Sequence, residues 1–314
     1  MRRNQLKIRI GTRKSKLALW QSEWVKAQVQ KKYPEIEVEL VKIVTKGDKI
    51  LDAPLAKIGD KGLFTKEIED AMLKGEVDIA VHSLKDVPSV LPEGLKLIAF
   101  SHREDPRDAF LSNGRFTFKT LPEGAKVGTS SLRRKAQLKR LRPDLQIEDL
   151  RGNVDTRIRK LKEGQYDAII LAAAGVKRLG FDNEIDEILS PDVMIPSVSQ
   201  GILGIEGREN DPEIEKIIRD VINDEKSELA AAIERSFLKT VEGGCQVPMG
   251  CYAEVKEDGI YVRAFIASLD GTTFLKEEGL FPKEKPEETG RAIARRLLSR
   301  GGKEILESLK EEEK

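Results

Sequence analysis

With two cysteines, two histidines, 5% aromatic residues and a net charge of only +1, this 314-residue chain lacks the means for several kinds of chemistry. Cys245 and Cys251 lie six positions apart and have no companions, so a disulfide scaffold is excluded and a zinc site of several fingers has too few ligands. Near-balanced charge, 55 Lys and Arg against 54 Asp and Glu, argues against a general binder of nucleic acid or membrane surfaces. The longest apolar run, residues 168–176, falls well short of the roughly 20 residues that cross a bilayer. Met1–Gln5 leads into an alternating strand rather than a roughly 7–15-residue apolar stretch, which predicts no signal peptide and a cytoplasmic, reducing location. Neither GxxxxGK followed by Ser or Thr nor GxGxxG occurs, so ATP and dinucleotide chemistry have no support, and no GxSxG marks a hydrolase.

Hydrophobic residues at 39% and charged residues at 35% give ample core and a charged surface, enough for two or three domains. Two stretches of the chain repeat one layout. A strand at Leu6–Ile10 turns through Gly11-Thr12-Arg13-Lys14-Ser15 into a helix with Leu17, Trp20 and Trp24 as its apolar face; Ala125–Val127 turns likewise through Gly128-Thr129-Ser130-Ser131 into a helix from Leu132. Val38–Val44 runs into Lys46-Gly47-Asp48 as Gln146–Leu150 runs into Arg151-Gly152-Asn153. Leu73-Lys74-Gly75 precedes a buried strand at Val77–Val81 as Leu161–Gly164 precedes one at Tyr166–Ile170. α/β units resemble one another, but three matches in one order favour duplication. The expectation is two α/β lobes of parallel strands flanking a cleft, with ligand loops at the strand C-terminal ends.

Beyond Pro196 the pattern changes. Ser197–Gly204 is small and glycine-rich, as in a hinge or cleft loop. Residues 208–228 carry eight acidic and four basic residues on a helix whose inner face is Ile214, Ile217, Ile218 and Val221. A third unit begins near Lys226 with a helix over Leu229, Ile233 and Phe237. Strands at Tyr252–Val255, Ile260–Ser268 and Thr272–Glu277 follow, joined through the turn pairs Asp258-Gly259 and Asp270-Gly271. A last helix is expected at Glu287–Leu298, with a frayed Lys-Glu tail.

Between Lys126 and Lys160 stand eleven Lys and Arg but four Asp and Glu. Much of such a run is a solvated face, which suits Lys135, Lys139, Arg140 and Arg142. Arg133 and Arg134 differ, because the first turn of a helix disfavours cations unless an anion lies beside them. Ser130, Ser131 and the free N–H groups of that turn would hold a carboxylate or phosphate with the two guanidinium forks. Arg13 and Ser15 occupy the equivalent turn of the first lobe, and Arg151 and Arg157 border the second matched turn. Asp86, in His82-Ser83-Leu84-Lys85-Asp86-Val87-Pro88, is the leading carboxylate because it lies where a parallel strand ends. Lys85 is a partner for it, and His82 reads as a buried hydrogen-bonding residue. Cys245, directly after Gly243-Gly244, is better suited to covalent anchoring than to nucleophilic attack, and Cys251 reads as a small core residue. No metal site is expected.

Taken in order, Thr12–Ala18, the Gly-Asp-Lys-Gly-Leu-Phe stretch within Lys57–Phe64, His82–Pro88, Arg103–Asp108, Gly128–Arg134, Leu150–Val154 and Gly243–Pro248 resemble the porphobilinogen deaminase (hydroxymethylbilane synthase) family from Ile8 to about residue 270. The resemblance implies two lobes of the type II periplasmic-binding-protein kind and a smaller α+β C-terminal domain with a three-stranded antiparallel sheet. The implied boundaries are 1–101 with 201–221, 102–200, and 222–314. It implies a dipyrromethane cofactor held by a thioether to Cys245, and a transferase that joins four porphobilinogens head to tail into hydroxymethylbilane with release of ammonia, for tetrapyrrole and haem synthesis. Asp86 is then the catalytic carboxylate. Arg13, Ser15, Lys85, Thr129, Ser131, Arg133, Arg134, Arg151, Arg157 and Arg178 meet the acetate and propionate groups of cofactor, substrate and growing chain, while Lys57 and Lys61 fall on a loop capping the cleft. A monomer that passes its product to uroporphyrinogen III synthase, without nucleic-acid or membrane partners, completes the expectation.

This agrees with the charge pattern. Each pyrrole brings two carboxylates, and only clustered guanidiniums could hold several in a closed cleft. Loss of ammonia from the substrate leaves a cationic azafulvene that needs a nearby anion. Asp60, Asp155, Ser199 and Gly207 depart from the usual family pattern and bear on loop mobility and pocket charge. A non-catalytic binder of a small polycarboxylate would share the lobes and arginines but leaves Gly-Gly-Cys and the third domain unexplained. A nucleic-acid reading of residues 126–160 lacks stacking aromatics.

Overall fold

The computed structural model describes residues 6–49, 62–241 and 247–312. The chain starts with β1 (Lys7–Thr12), α1 (Lys16–Lys32), β2 (Glu37–Lys42), α2 (Lys66–Leu73), β3 (Ile79–Ser83) and β4 (Leu95–Phe100). It continues through β5 (Asp108–Leu111), β6 (Lys126–Gly128), α3 (Leu132–Leu141), β7 (Gln146–Glu148), α4 (Val154–Lys162), β8 (Ala168–Ala172), α5 (Ala173–Arg178) and β9 (Glu187–Leu189). Then come β10 (Leu203–Arg208), α6 (Pro212–Ile222), α7 (Glu225–Val241), β11 (Met249–Val255), β12 (Ile260–Ala267), β13 (Phe274–Phe281), α8 (Pro286–Leu297) and α9 (Lys303–Glu312).

Two compact units result: residues up to Glu104 with Ile202–Glu228, and Asp105–Gly201 with Leu229 onward. The first holds a five-stranded sheet in the order β2-β1-β3-β10-β4, the second one in the order β7-β6-β8-β5-β9. In each sheet the first three strands are parallel and the fourth is antiparallel to both neighbours. Register repeats as well: Gly11 pairs with Ala80 as Gly128 pairs with Ile169. Glycine is needed at both places, because a Cβ would stand 2.8 Å from Ile68 Cγ2 in one and 2.8 Å from Tyr166 Cδ1 in the other. β5 and β10, the antiparallel strands, each follow a point where the chain passes from one unit to the other. The expected fold class is found: two α/β lobes of one topology and a third, three-stranded antiparallel sheet, β11-β12-β13.

Central strands read as continuous apolar runs because both faces are covered: Ile79, Ala80 and Val81 in one lobe, Ala168, Ile169, Ile170 and Leu171 in the other, are all buried. The antiparallel sheet packs one face on Ile233, Phe237, Ile293 and Leu297, and Cys251 lies inside this core as expected. The α6 face is Ile214, Ile218 and Ile222, with Ile217 and Val221 at its margin.

Three expectations need correction. The lobe sheets are mixed rather than parallel throughout, because β10 and β5 each enter antiparallel to both neighbours. Trp20 is 37% exposed, and the buried stripe of α1 is Gln21, Ser22, Val25 and Val29. Trp24 packs at the edge of this core as expected, whereas Trp20 does not; Gln21 is accommodated inside because its amide finds a partner in Ser83. The Lys-Glu tail is not frayed over 303–312 but forms α9, after a break at Gly301 (φ 112°). Ile305 is buried there and Leu306 and Leu309 pack on the third core, an apolar stripe hidden by the charged composition.

Candidate functional site

In the first unit, β1 and β3 are parallel neighbours, so the turns leaving both open at the same sheet edge. Ser15 caps α1, its Oγ accepting the Ala18 N–H at 3.3 Å. The Arg13 guanidinium lies 4.1 Å from the centre of the Phe64 ring. β3 runs into a single 3-10 turn, Leu84–Asp86. Leu84 and Val87 are buried, and the Leu84 N–H donates to the Ile202 carbonyl at 3.0 Å. With both flanks held, the turn leaves Lys85 half-buried and Asp86 exposed. Gln21 Nε2 donates to Ser83 Oγ at 2.8 Å and so ties α1 to this strand end. His82 has the buried role expected of it, its Nε2 3.0 Å from Glu206 Oε2 on β10. Near this pair, burial pushes the Glu69 carboxyl above its ordinary range, and the Glu206 charge adds to the effect.

In the second unit, β6, β7 and β8 are parallel, and residues 129–134, 149–157 and 173–178 leave their ends at one edge. Ser131 caps α3: its Oγ accepts the Arg134 N–H at 3.4 Å, while its own N–H donates to Thr129 Oγ1 at 3.2 Å. Ser130 is engaged elsewhere, its Oγ donating to the Leu150 carbonyl at 3.0 Å and accepting the Leu150 N–H at 3.1 Å.

Arg133 and Arg134, only 5% and 6% exposed, converge on the fully buried Asp108 of β5. Arg133 Nη1 lies 2.8 Å from Asp108 Oδ2 and donates to the Ile195 carbonyl at 2.7 Å; Arg134 Nη2 donates to Oδ1 at 2.7 Å and Nη1 to the Ile170 carbonyl at 2.9 Å. Burial by itself would raise the Asp108 carboxyl, but the two guanidiniums outweigh it and hold it far below the carboxylate range. Burial lowers Arg133, and the Asp108 charge opposes that shift. The compensation expected from a ligand at this helix start is thus partly internal. One carboxylate against two guanidiniums still leaves an unbalanced positive charge in a desolvated place, which is the electrostatic requirement for seating an anion.

The other arginines lie toward the surface of this edge. Arg157 Nε donates to the Gly152 carbonyl at 2.7 Å, Lys160 Nζ to that of Arg151 at 3.2 Å, and Arg178 Nη2 to that of Gly201 at 2.7 Å. Asp155 stands in the first turn of α4, where the helix dipole favours an acid. Cys245, Lys57, Lys61 and Asp60 lie outside the described residues. Sequence reasoning missed Asp108 as the counter-ion of the arginine pair and Gln21 as the tether of the Asp86 strand. The quoted Arg103–Asp108 motif contained the first; a glutamine on a helix gave no signal for the second.

Comparison with known proteins places the chain in a family. Residues 8–216 match the family model described as porphobilinogen deaminase, dipyromethane cofactor binding domain, and residues 229–299 match the one described as porphobilinogen deaminase, C-terminal domain. A protein of Geobacter sulfurreducens named porphobilinogen deaminase is 55% identical over 300 residues, covering 96% of this chain and 94% of its own. A protein of the same name from Geotalea uraniireducens is 53% identical over 299 residues, covering 95% and 93%. Among solved structures, a periplasmic sulfonate-binding protein of Methylobacillus flagellatus is similar at 15% identity and a TM-score of 0.41, over 76% of this chain and 69% of its own.

Proposed function

The chain belongs to the porphobilinogen deaminase family, and from that membership we infer that Asp86 is its catalytic carboxylate and Cys245 the residue joined to its dipyrromethane cofactor. The activity is a transfer: four porphobilinogens are polymerised head to tail with loss of four ammonias, and one water cleaves the finished chain from the cofactor as hydroxymethylbilane, in tetrapyrrole biosynthesis. The observation that carries the site assignment is the buried Arg133–Asp108–Arg134 group, whose surplus positive charge suits the acetate and propionate groups of pyrroles. Ser131 and Thr129 at the α3 cap and Arg151, Arg157 and Arg178 on the same edge would receive further carboxylates. Arg13, Ser15 and Lys85 would do so from the first lobe, and by family analogy so would Lys57 and Lys61.

When bound, the dipyrromethane supplies the pyrrole at which extension begins and a tether that makes each addition intramolecular. Asp86, presented at the end of β3 on a turn anchored by Leu84 and Val87, faces the cation left when ammonia departs from porphobilinogen and stabilises it through the pyrrole N–H. Once the new carbon–carbon bond forms, the same carboxylate accepts the proton lost from the attacked pyrrole carbon. The arginines hold charge and orientation and exchange no protons.

The division into domains 1–101 with 201–221, 102–200 and 222–314 belongs to this proposal and is supported by three separate sheets. So do a cytoplasmic monomer and transfer of product to uroporphyrinogen III synthase; among the described residues no helix is long and apolar enough to cross a membrane. Intact-mass measurement with peptide mapping tests the central assignment. A dipyrromethane adduct on the peptide containing Cys245 is expected, and active enzyme with that thiol unmodified would overturn it.

A further inference from the structure

Glu234 is fully buried on α7 and accepts two backbone N–H groups from other elements, that of Ser199 and, at 2.8 Å, that of Ala253 on β11. A carboxylate inside a protein is costly unless its oxygens are satisfied, and these are directed at the main chain of two other segments. Ser199 has φ 61° and the following Gly201 φ 94°, with the Gln200 N–H closing the turn on the Ser197 carbonyl at 3.0 Å. The left-handed region costs a non-glycine residue on the order of 1 kcal/mol, so this turn needs an external hold, and Glu234 supplies it.

That turn aims Gln200 inward. Its buried amide donates to Asp108 Oδ1 at 3.0 Å and to the Pro106 carbonyl at 2.7 Å. Asp108 is the counter-ion of Arg133 and Arg134. A continuous buried polar chain therefore runs from Glu234 through Ser199 and Gln200 to Asp108 and the arginine pair, all within the second unit. Its Glu234 end joins α7 and β11, the two elements that flank the Gly-Gly-Cys motif in the sequence.

We propose that Glu234, Gln200 and Asp108 are positioning residues that set the arginine pair, α7 and β11 in one register, so that the seats for the cofactor carboxylates are fixed together with the two elements that flank Gly-Gly-Cys in the sequence. The inference rests on the reading that Arg133 and Arg134 hold those carboxylates. Because spatial continuity alone does not establish coupling, the test is a double-mutant cycle.

Glu234→Gln, Gln200→Leu and the double variant, as full-length enzyme, would be compared for dipyrromethane loading by intact mass, for KM and kcat, and for thermal stability. Glu234→Gln keeps the shape but turns an amide donor toward a backbone donor. Each single change is expected to lower loading and raise KM by on the order of tenfold, the effect of one charge-assisted hydrogen bond. The double variant should lose no more than the worse single one. Losses that multiply would overturn the network. Ser199→Gly offers a check should Glu234→Gln fold poorly: glycine holds the turn unaided, so adding it to Glu234→Gln should restore loading, and failure to do so would sink the role given to the turn. If Arg133→Leu leaves loading and KM unchanged, the site reading itself fails; if Arg133→Leu impairs them and Glu234→Gln and Gln200→Leu do not, only the present inference fails.

Discussion

The side-chain amide of Gln21 donates to the Ser83 hydroxyl at 2.8 Å and fastens the second turn of α1 to the last residue of β3, three positions before Asp86. Gln21→Leu preserves bulk but strands the hydroxyl. A loss of about 1 kcal/mol in urea unfolding is expected, together with a fall in kcat larger than any change in KM, because the strand end carrying Asp86 is released. Unchanged kcat would mean that Asp86 is positioned without this tether.

Asp86 itself is exposed on a single turn, so its removal should leave stability within about 0.5 kcal/mol of the parent. Turnover in Asp86→Ala should nevertheless drop by on the order of 10²–10⁴, as for loss of a group that moves a proton and faces a developing charge. The thioether adduct should still form. Near-normal rates in this variant would remove Asp86 from the chemistry.

At Asp108 the order of damage is diagnostic. Arg133→Leu leaves one carboxylate against one guanidinium, a balanced pair, whereas Asp108→Asn leaves two buried like charges. Breaking a buried ion pair costs about 3–5 kcal/mol, and Asp108→Asn should stand at the upper end and Arg133→Leu below it. Cofactor loading should suffer in both. Equal stability of the two variants by chemical denaturation would show that the surplus charge is relieved in some other way.

The repeated strand-turn-helix units were legible because each is local: a strand-end glycine, a small-residue turn and a capping serine all lie within a few positions, at Gly11–Ser15 and again at Gly128–Ser131. The exposed place of Asp86 just past an apolar strand was legible, and so was the buried role of His82 from its place beside that strand. Long-range pairings were not legible. Nothing near Arg133 identifies Asp108, 25 positions earlier, as its counter-ion, because that contact depends on β5 entering the sheet antiparallel beside β8. The stripe on α1 was misread for a related reason: burial of Gln21 depends on a hydroxyl 62 positions away. In α9 the stripe of Ile305, Leu306 and Leu309 was masked by charge that faces outward.

Asp105 gives the chain a defined acid response. Its carboxylate receives Arg107 Nε at 2.8 Å, Nη2 at 2.8 Å and Lys177 Nζ at 3.0 Å. Burial would raise its pKa, but these hydrogen bonds prevail and lower it from 3.8 to about 2. A carboxyl whose folded pKa lies below its unfolded one stabilises the fold fully above the unfolded value, and that contribution vanishes as pH falls through the folded value. Between pH 4 and pH 2 the chain should therefore lose roughly 1–2 kcal/mol from this residue, allowing for solvent screening of its partly exposed partners. Asp105→Asn should be less stable than the parent by that amount at pH 7 in urea unfolding, and the gap should close as pH approaches 2. A gap that stays constant across the range would mean that the asparagine acts by altering packing, since only an ionised carboxylate gives a difference that protonation erases.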